Sequence, residues 1–315
     1  MHALPPFAVP AAEAHATLAA VLRARLTGLS WSRVRDLVTG RRVRVLGELC
    51  LDPARRLKEG DTVELLPRPA PKPRQPEAVA IRHLDEHVVV VEKPSGINSV
   101  RHPAERDWAD RRKELSPTLH DVTQRLIVER EARRAAQQRL RVVHRLDKET
   151  SGLLVFARSV AAERGLGKQF HAHTVLRRYV AVVPGEVQAQ RVHSFLVRDR
   201  GDGRRGSGPG GREAVTHVEV TERPPGYTVV GCRLETGRTH QIRIHLAELG
   251  HPVCGDKVYR HLRDGGVIED NSRAPRLALH AQELGFRHPV TGEEMRWEMP
   301  LPADLRRWLG GLRRR

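Results

Sequence analysis

From residue 80 onward the apolar residues arrive in short runs rich in valine: HVVVVEKPSG, SGLLVFARS, RRYVAVVPG, EAVTHVEVTE and YTVVGCRLET. Each is cut off by Gly, Pro or charge. Runs of that length and composition, bounded by turn residues, read as strands. Two helical patterns interrupt them, DVTQRLIVEREARRAAQQRL (121–140) and THQIRIHLAELG (239–250), too few for regular strand–helix alternation. The expected class is α+β, with a mixed, mostly antiparallel sheet and flanking helices.

A different pattern precedes this region. Leu18, Val21, Leu22 and Leu26 recur at helical spacing, and a second helix is predicted from Ser30, a suitable N-cap, with Val34, Leu37 and Val38 on one face. Gly40 stops it, and RRVRVLGELC and DTVELL then alternate like two short strands. The stretch RPAPKPRQPEA (68–78) has four prolines in eleven residues and suits an extended linker. The expected organisation is a small α/β unit over 13–68, a linker over 69–79 and a large domain over 80–310.

The chain of 315 residues carries 55 Lys and Arg against 38 Asp and Glu, a formal charge of +17. That excess favours a polyanionic partner, nucleic acid or an anionic membrane surface. Arg33, Arg35, Arg41, Arg42 and Arg44 cluster on the second helix and the following strand, where they are expected to seat a phosphate backbone. No run of eighteen apolar residues occurs and the N-terminus lacks a secretory pattern, so a cytoplasmic protein is expected. Cys50, Cys232 and Cys254 are scattered, which supports neither disulfides nor a zinc ribbon.

The stretch HRLDKETSG (144–152) sets Asp147 between Arg145 and Lys148. A turn aspartate is ordinary, but strand-like RVV before it and LLVFA after it hold this loop at the mouth of a sheet, where catalytic loops are commonly placed. Flanking cations favour its anion, which serves as a nucleophile or a base. The H-R-x-D order is similar to a protein-kinase catalytic loop, but no D-F-G and no Gly-rich loop with a following strand lysine accompany it. His240 and His245 are five apart and do not share a helical face, so no metal is expected; no phosphate-loop motif is present, so no nucleotide cofactor is expected.

VVHRLDKETSGLLVFARS resembles the signature loop of the RluA family of pseudouridine synthases. HVVVVEKPSGI (87–97), RRYVAVVPG (177–185), the segment 234–260 and LALHAQELGFRHPVTGEEM (277–295) are similar to its other segments. The resemblance covers about residues 80 to 302 and implies an isomerase that detaches uracil from a uridine in RNA and rejoins it through C5. It further implies that Asp147 is the catalytic aspartate, that Tyr179 lies against uracil and serves proton transfer, and that Arg243 pairs with Asp147. Whether the carboxylate adds to the ribose, adds to the base or removes a 2′ proton stays open. Arg145 is expected to fill the gap left by an extruded base, while His144 and Thr150 shape the loop on the substrate side. One departure is Arg177, where the family usually has Lys.

The small unit resembles the S4 RNA-binding domain through its two helices, GRRVRVLG and K-x-G-D-x-V, although Ala16, Thr17 and Leu18 stand near the family's usual Arg-Leu-Asp. The expected partner is RNA, large-subunit ribosomal RNA first and tRNA second, with no obligate protein partner evident. A scaffold that binds RNA without catalysis is the competing reading. The segments 101–115, dense in charge of both signs, and 199–212, rich in Gly and Arg, are expected as irregular surface.

Overall fold

The structure is a computed structural model, and it describes every residue except 1–3, 71–78, 106, 109, 132–138, 202, 261–265 and 315. The chain divides into two compact units: Met1–Gln75 with Ala109–Arg112, and Pro76–Trp108 with Lys113–Arg315. The predicted linker lies almost wholly outside the described residues.

The first unit contains β1 (Phe7–Ala8), α1 (Leu18–Arg25), α2 (Trp31–Thr39), β2 (Val43–Val45), β3 (Glu48–Leu49) and β4 (Thr62–Leu65). Thr17 Oγ1 accepts from Ala20 N and Ser30 Oγ from Arg33 N, both at 3.3 Å, so each helix starts on a side-chain cap. Of the predicted faces, Leu18, Val21, Leu22, Val34 and Val38 pack on Val43, Val45 and Val63 with Leu26 partly buried against them, while Leu37 stays half-buried outside this cluster. Two features depart from the sequence pattern. RRVRVLGELC is a hairpin and not one strand, because Leu46 and Gly47 both adopt positive φ (54° and 75°), the geometry of a two-residue turn that matches strand twist. Phe7–Ala8 pairs with β4, which extends the unit ahead of residue 13.

The second unit contains β5 (Ala80–Leu84), β6 (Val88–Lys93), the end of α3 (Asp110–Leu115, whose residues up to Arg112 count with the first unit), α4 (Leu119–Glu131), β7 (Arg141–Val142), β8 (Ser151–Ala157) and α5 (Val160–His171). It continues with β9 (Leu176–Pro184), β10 (Gln190–Val197), β11 (Gly206–Ser207), β12 (Arg212–Glu222), β13 (Tyr227–Leu234), α6 (Gln241–Glu248), β14 (Leu279–Arg287), β15 (Glu294–Glu298) and α7 (Ala303–Leu312). One sheet runs in the order β11-β10-β12-β13-β9-β14-β8-β6-β5, with β15 on β14 and β7 on β8. Among the described residues every pairing is antiparallel except β14 with β8.

The continuous apolar runs VVVV and LLVFA follow from the layers around the sheet. In β6 and β8, Val89, Val91, Leu154 and Phe156 enter one apolar cluster with α4, α6 and α7, while Val88, Val90, Leu153 and Val155 enter another with α5. Strands covered on both faces lose the polar alternation of half-exposed ones. Of the helix expected over 121–140, α4 forms Leu119–Glu131, and 132–138 lie outside the described residues. The Gly/Arg-rich segment is more ordered than its composition predicts: β11 pairs with β10, and Ser207 N donates to Glu248 Oε1 at 2.8 Å.

Candidate active site

The loop 144–152 is held by the last residue of β6 and the segment that follows it. Lys93 is fully buried, and its Nζ donates to Pro94 O (3.1 Å), Lys148 O (2.9 Å) and Thr150 O (2.7 Å). Three carbonyls match the three donors of an ammonium. Burial nevertheless pulls the Lys93 pKa down to about 7, with Glu149 and Asp147 pushing it back up. Ser99 Oγ donates to Leu146 O at 2.7 Å and accepts from Leu146 N at 3.0 Å, and Ser95 Oγ donates to Glu149 O at 2.6 Å. At the far end Gly152 has φ +129°, and a Cβ there would lie 2.2 Å from Ala281 O of β14. Loop and sheet thus touch backbone to backbone, which only glycine permits.

So held, the loop forms one wall of a cavity of about 810 Å³. Asp147, His144, Arg145 and Thr150 line it from the loop, Tyr179 and Arg177 from β9, and Arg243 and His240 from around α6. Five arginines (145, 177, 212, 238, 243) face two carboxylates (Asp147, Glu213) in this lining, a balance that attracts an anionic ligand.

Asp147 Oδ2 lies 3.5 Å from Arg243 Nη1, and Oδ1 lies 3.8 Å from His240 Nε2. Arg243 is buried, not on the outer face of its helix, and its planar fork is occupied elsewhere. Nε and Nη2 donate to the two carboxylate oxygens of Asp256 at 2.7 and 3.0 Å, and the guanidinium lies 5.0 Å from the Tyr259 ring centre. Asp256 also accepts from Val258 N and Tyr259 N. Its side chain is 0% exposed. Burial pushes the Asp256 carboxyl up, but hydrogen bonds and charge from Arg243 outweigh this and hold it below the usual carboxylate range. Arg243 therefore meets Asp147 end-on through Nη1, oriented by a second carboxylate that spacing alone did not single out.

Tyr179 pairs across β9 with Cys232 of β13 and Ala281 of β14, so its ring is fixed in mid-sheet. Burial pushes its phenol up to about 12, with Arg177 opposing and Asp147 adding. It is a neutral hydroxyl near neutral pH, able to donate and accept. Arg177 Nη2 donates to Glu235 O at 2.9 Å and Leu234 O at 3.4 Å, and a Cβ on Gly237 would lie 2.8 Å from its Nη1. Both bonds are made by the one nitrogen Nη2, so at 177 the arginine keeps the family's positive charge on this wall of the cavity.

His144 stacks on Phe170, ring centres 4.6 Å apart, and its Nε2 accepts from Val155 N at 3.1 Å. Burial pulls its pKa down to about 3, with Arg177 adding, so it is a neutral structural pin. Thr150 Oγ1 is buried and finds no hydrogen-bond partner among the described residues. Arg145 is exposed at the cavity wall.

The N-terminal arginines do not form one free face. Arg33 and Arg35 are exposed on α2, but Arg41 Nε donates to Ala70 O, Arg42 to Leu66 O and Pro67 O, and Arg44 pairs with Glu64 at 3.5 Å. Two of the five are engaged with the chain after β4 and a third with β4 itself, which sequence clustering does not reveal. Among the described residues no helix is long and apolar enough to cross a membrane.

A carboxylate between guanidinium and imidazole, with a phenol in the same arginine-lined cavity, defines an enzyme equipped for acid–base or nucleophilic chemistry on a polyanion. The family profile for RNA pseudouridylate synthase matches residues 87–248, which include Asp147, Tyr179 and Arg243. "Ribosomal large subunit pseudouridine synthase D" of Zymomonas mobilis is 36% identical over 90% of this chain and 90% of its own length. The protein of that name from Xanthomonas campestris is 35% identical over 97% of this chain and 91% of its own. The structure of "Human RNA Pseudouridylate Synthase Domain Containing 4" shares the fold, with a TM-score of 0.59 over 74% of this chain and 93% of that one at 24% identity. The chain belongs to the RNA pseudouridylate synthase family and is an RNA pseudouridine synthase, an isomerase.

Proposed function

We propose that this enzyme converts uridine to pseudouridine in large-subunit ribosomal RNA, with Asp147 as its reactive carboxylate. The observation that carries the assignment is the setting of Asp147: its side chain is 16% exposed, aimed into a cavity of excess positive charge, with Arg243 and His240 on its two oxygens. The ribosomal target is supported by the names of the relatives above, which extend along nearly the whole chain.

The reaction breaks the bond from C1′ to N1, turns the uracil and joins C1′ to C5, so C5 gives up a proton and N1 gains one. Asp147 acts at the ribose or the base as the first bond breaks. The Tyr179 oxygen, in the same cavity, serves proton transfer at C5. Arg145, exposed at the rim, fills the space of the extruded uridine, whose unstacking costs about a few kcal/mol. The N-terminal unit is an S4-like RNA-binding domain joined by the Pro-rich linker, with Arg33 and Arg35 among its exposed cations. Its two helices over a small sheet support that reading.

Incubation with bulk RNA from cells lacking the gene, followed by mapping of new pseudouridines, tests the assignment. Asp147→Asn is expected to abolish product while keeping RNA binding. Turnover by that variant refutes the role of Asp147, and product confined to tRNA refutes the ribosomal target.

A further inference from the structure

His240 precedes α6 in the left-handed conformation, φ +60°, which a non-glycine residue adopts at some cost. It occupies the N-cap position, yet its side chain makes no capping bond. Gln241, the first helical residue, ties the preceding turn instead: its Oε1 accepts from Arg238 N at 2.9 Å and from Thr236 Oγ1 at 2.8 Å. The imidazole faces the cavity, where Nδ1 lies 2.7 Å from the Tyr259 hydroxyl and Nε2 3.8 Å from Asp147 Oδ1.

The hydrogens of this chain can be assigned from its ends. Asp147 as a carboxylate only accepts, so an Nε2 that hydrogen-bonds to it carries the proton. Burial disfavours the imidazolium; Asp147 and Asp256 oppose this while Arg243 and Arg205 reinforce it, and the net effect holds the His240 pKa below its ordinary value. A neutral imidazole has one N–H. With that proton on Nε2, Nδ1 is an acceptor, and the Tyr259 hydroxyl is its donor. Tyr259 also stays protonated, since burial pushes its phenol up to about 12 against Arg243.

We propose that His240, with its tautomer set by the Tyr259 hydroxyl, is a positioning residue that donates from Nε2 to Asp147 Oδ1 and fixes the carboxylate's orientation from the side opposite Arg243. The 3.8 Å separation shortens to a hydrogen bond when RNA closes the cavity, as such contacts commonly do on substrate binding. The proposal rests on Asp147 being the reactive group.

The test uses the full chain and bulk RNA carrying tritium at uridine C5, whose release reports the new carbon–carbon bond, in single-turnover and filter-binding measurements. His240→Asn tolerates the left-handed backbone but is too short to reach Asp147, and it lowers the turnover rate ~10- to 100-fold, the scale of one hydrogen bond to a charged group. Its RNA affinity stays at the wild-type value. The acidic limb of its pH–rate profile moves to higher pH, because a donor that favours the anion is gone. His240→Gln places an amide near the Nε2 position and restores most of the rate. Tyr259→Phe keeps the ring under Arg243 and loses the donor; combined with His240→Asn it is no worse than His240→Asn alone.

Wild-type rate in His240→Asn, a fall in affinity that parallels the rate, or multiplicative effects with Tyr259→Phe each overturn the proposal. If His240→Asn does not fold, His240→Gln and Tyr259→Phe decide it through their pH profiles. Activity in Asp147→Asn overturns the underlying reading as well, whereas a dead Asp147→Asn beside a fully active His240→Asn overturns this inference alone.

Discussion

Replacing Asp256 by Asn removes one charge from a buried pair and puts an amide donor where an oxygen now accepts. Asp256 takes four hydrogen bonds, from Arg243 Nε at 2.7 Å, Arg243 Nη2 at 3.0 Å, Val258 N at 2.8 Å and Tyr259 N at 3.1 Å. If the Asn oxygen keeps the three bonds made by Oδ1, its NH2 faces Arg243 Nε, donor against donor. The guanidinium, 8% exposed, has little water to turn to. Breaking a buried pair from one side costs about 3–5 kcal/mol. In a folding unit this large each kcal/mol moves Tm by about 2–4 °C, so the variant should melt about 6–20 °C lower. Arg243 then re-pairs with Asp147, the nearest other carboxylate at 3.5 Å, and turnover falls at temperatures where the variant is still folded. Thermal melts by circular dichroism and single-turnover kinetics at 25 °C measure the two effects. A melt within ~2 °C of wild type, together with unchanged turnover, refutes the reasoning that Asp256 orients Arg243.

Gly152→Ala drives a Cβ to 2.2 Å from Ala281 O at a φ of +129°, so it should destabilise by about 3 kcal/mol or more, seen as a lowered Tm, and should reduce turnover with the loop displaced. Lys93→Met removes the ammonium from the carbonyls of Pro94, Lys148 and Thr150; single-turnover rates should fall while filter binding of RNA is kept. The folded-state pKa of Lys93, about 7, lies below its ordinary 10.5, so between those values the unfolded chain binds the extra proton. Lys93 therefore adds stability as pH rises, and urea unfolding at pH 7 and 9 should show a gain in wild type that Lys93→Met lacks. On the acid side, Asp256 and Asp304 are held below the usual carboxylate range, burial being outweighed by Arg243 and Arg276 respectively. Their stabilisation is present above the ordinary value of 3.8 and is lost as pH falls through the folded-state values, so Tm should drop steeply below about pH 4.

The Lys93 clamp shows how two segments read separately become one device. HVVVVEKPSGI and HRLDKETSG were legible as a strand with its turn and as a loop with a carboxylate. Their union depends on Nζ reaching carbonyls 55 and 57 residues away, which no local pattern encodes. The Asp256 anchor and the His240–Tyr259 pair escaped for the same reason: each is a single polar residue in a segment whose apolar pattern speaks only of helix and turn. A buried carboxylate beside Arg243 was the missing signal, and the GDKVY stretch offered it only as composition.

By itself, the amino-acid order indicated the mixed, mostly antiparallel sheet with helices and singled out the loop 144–152 with Asp147 as the candidate reactive group. Short valine-rich runs bounded by Gly and Pro have one economical outcome, and a loop between two such runs is held at a sheet end. The tertiary structure decided which partners that aspartate has. It turned Arg243 inward onto Asp256, engaged Arg41, Arg42 and Arg44 within the N-terminal unit, and set His240 facing Asp147. Hydrogen bonds and ion pairs act over a few ångströms whatever their separation in the chain, so only the folded arrangement specifies them.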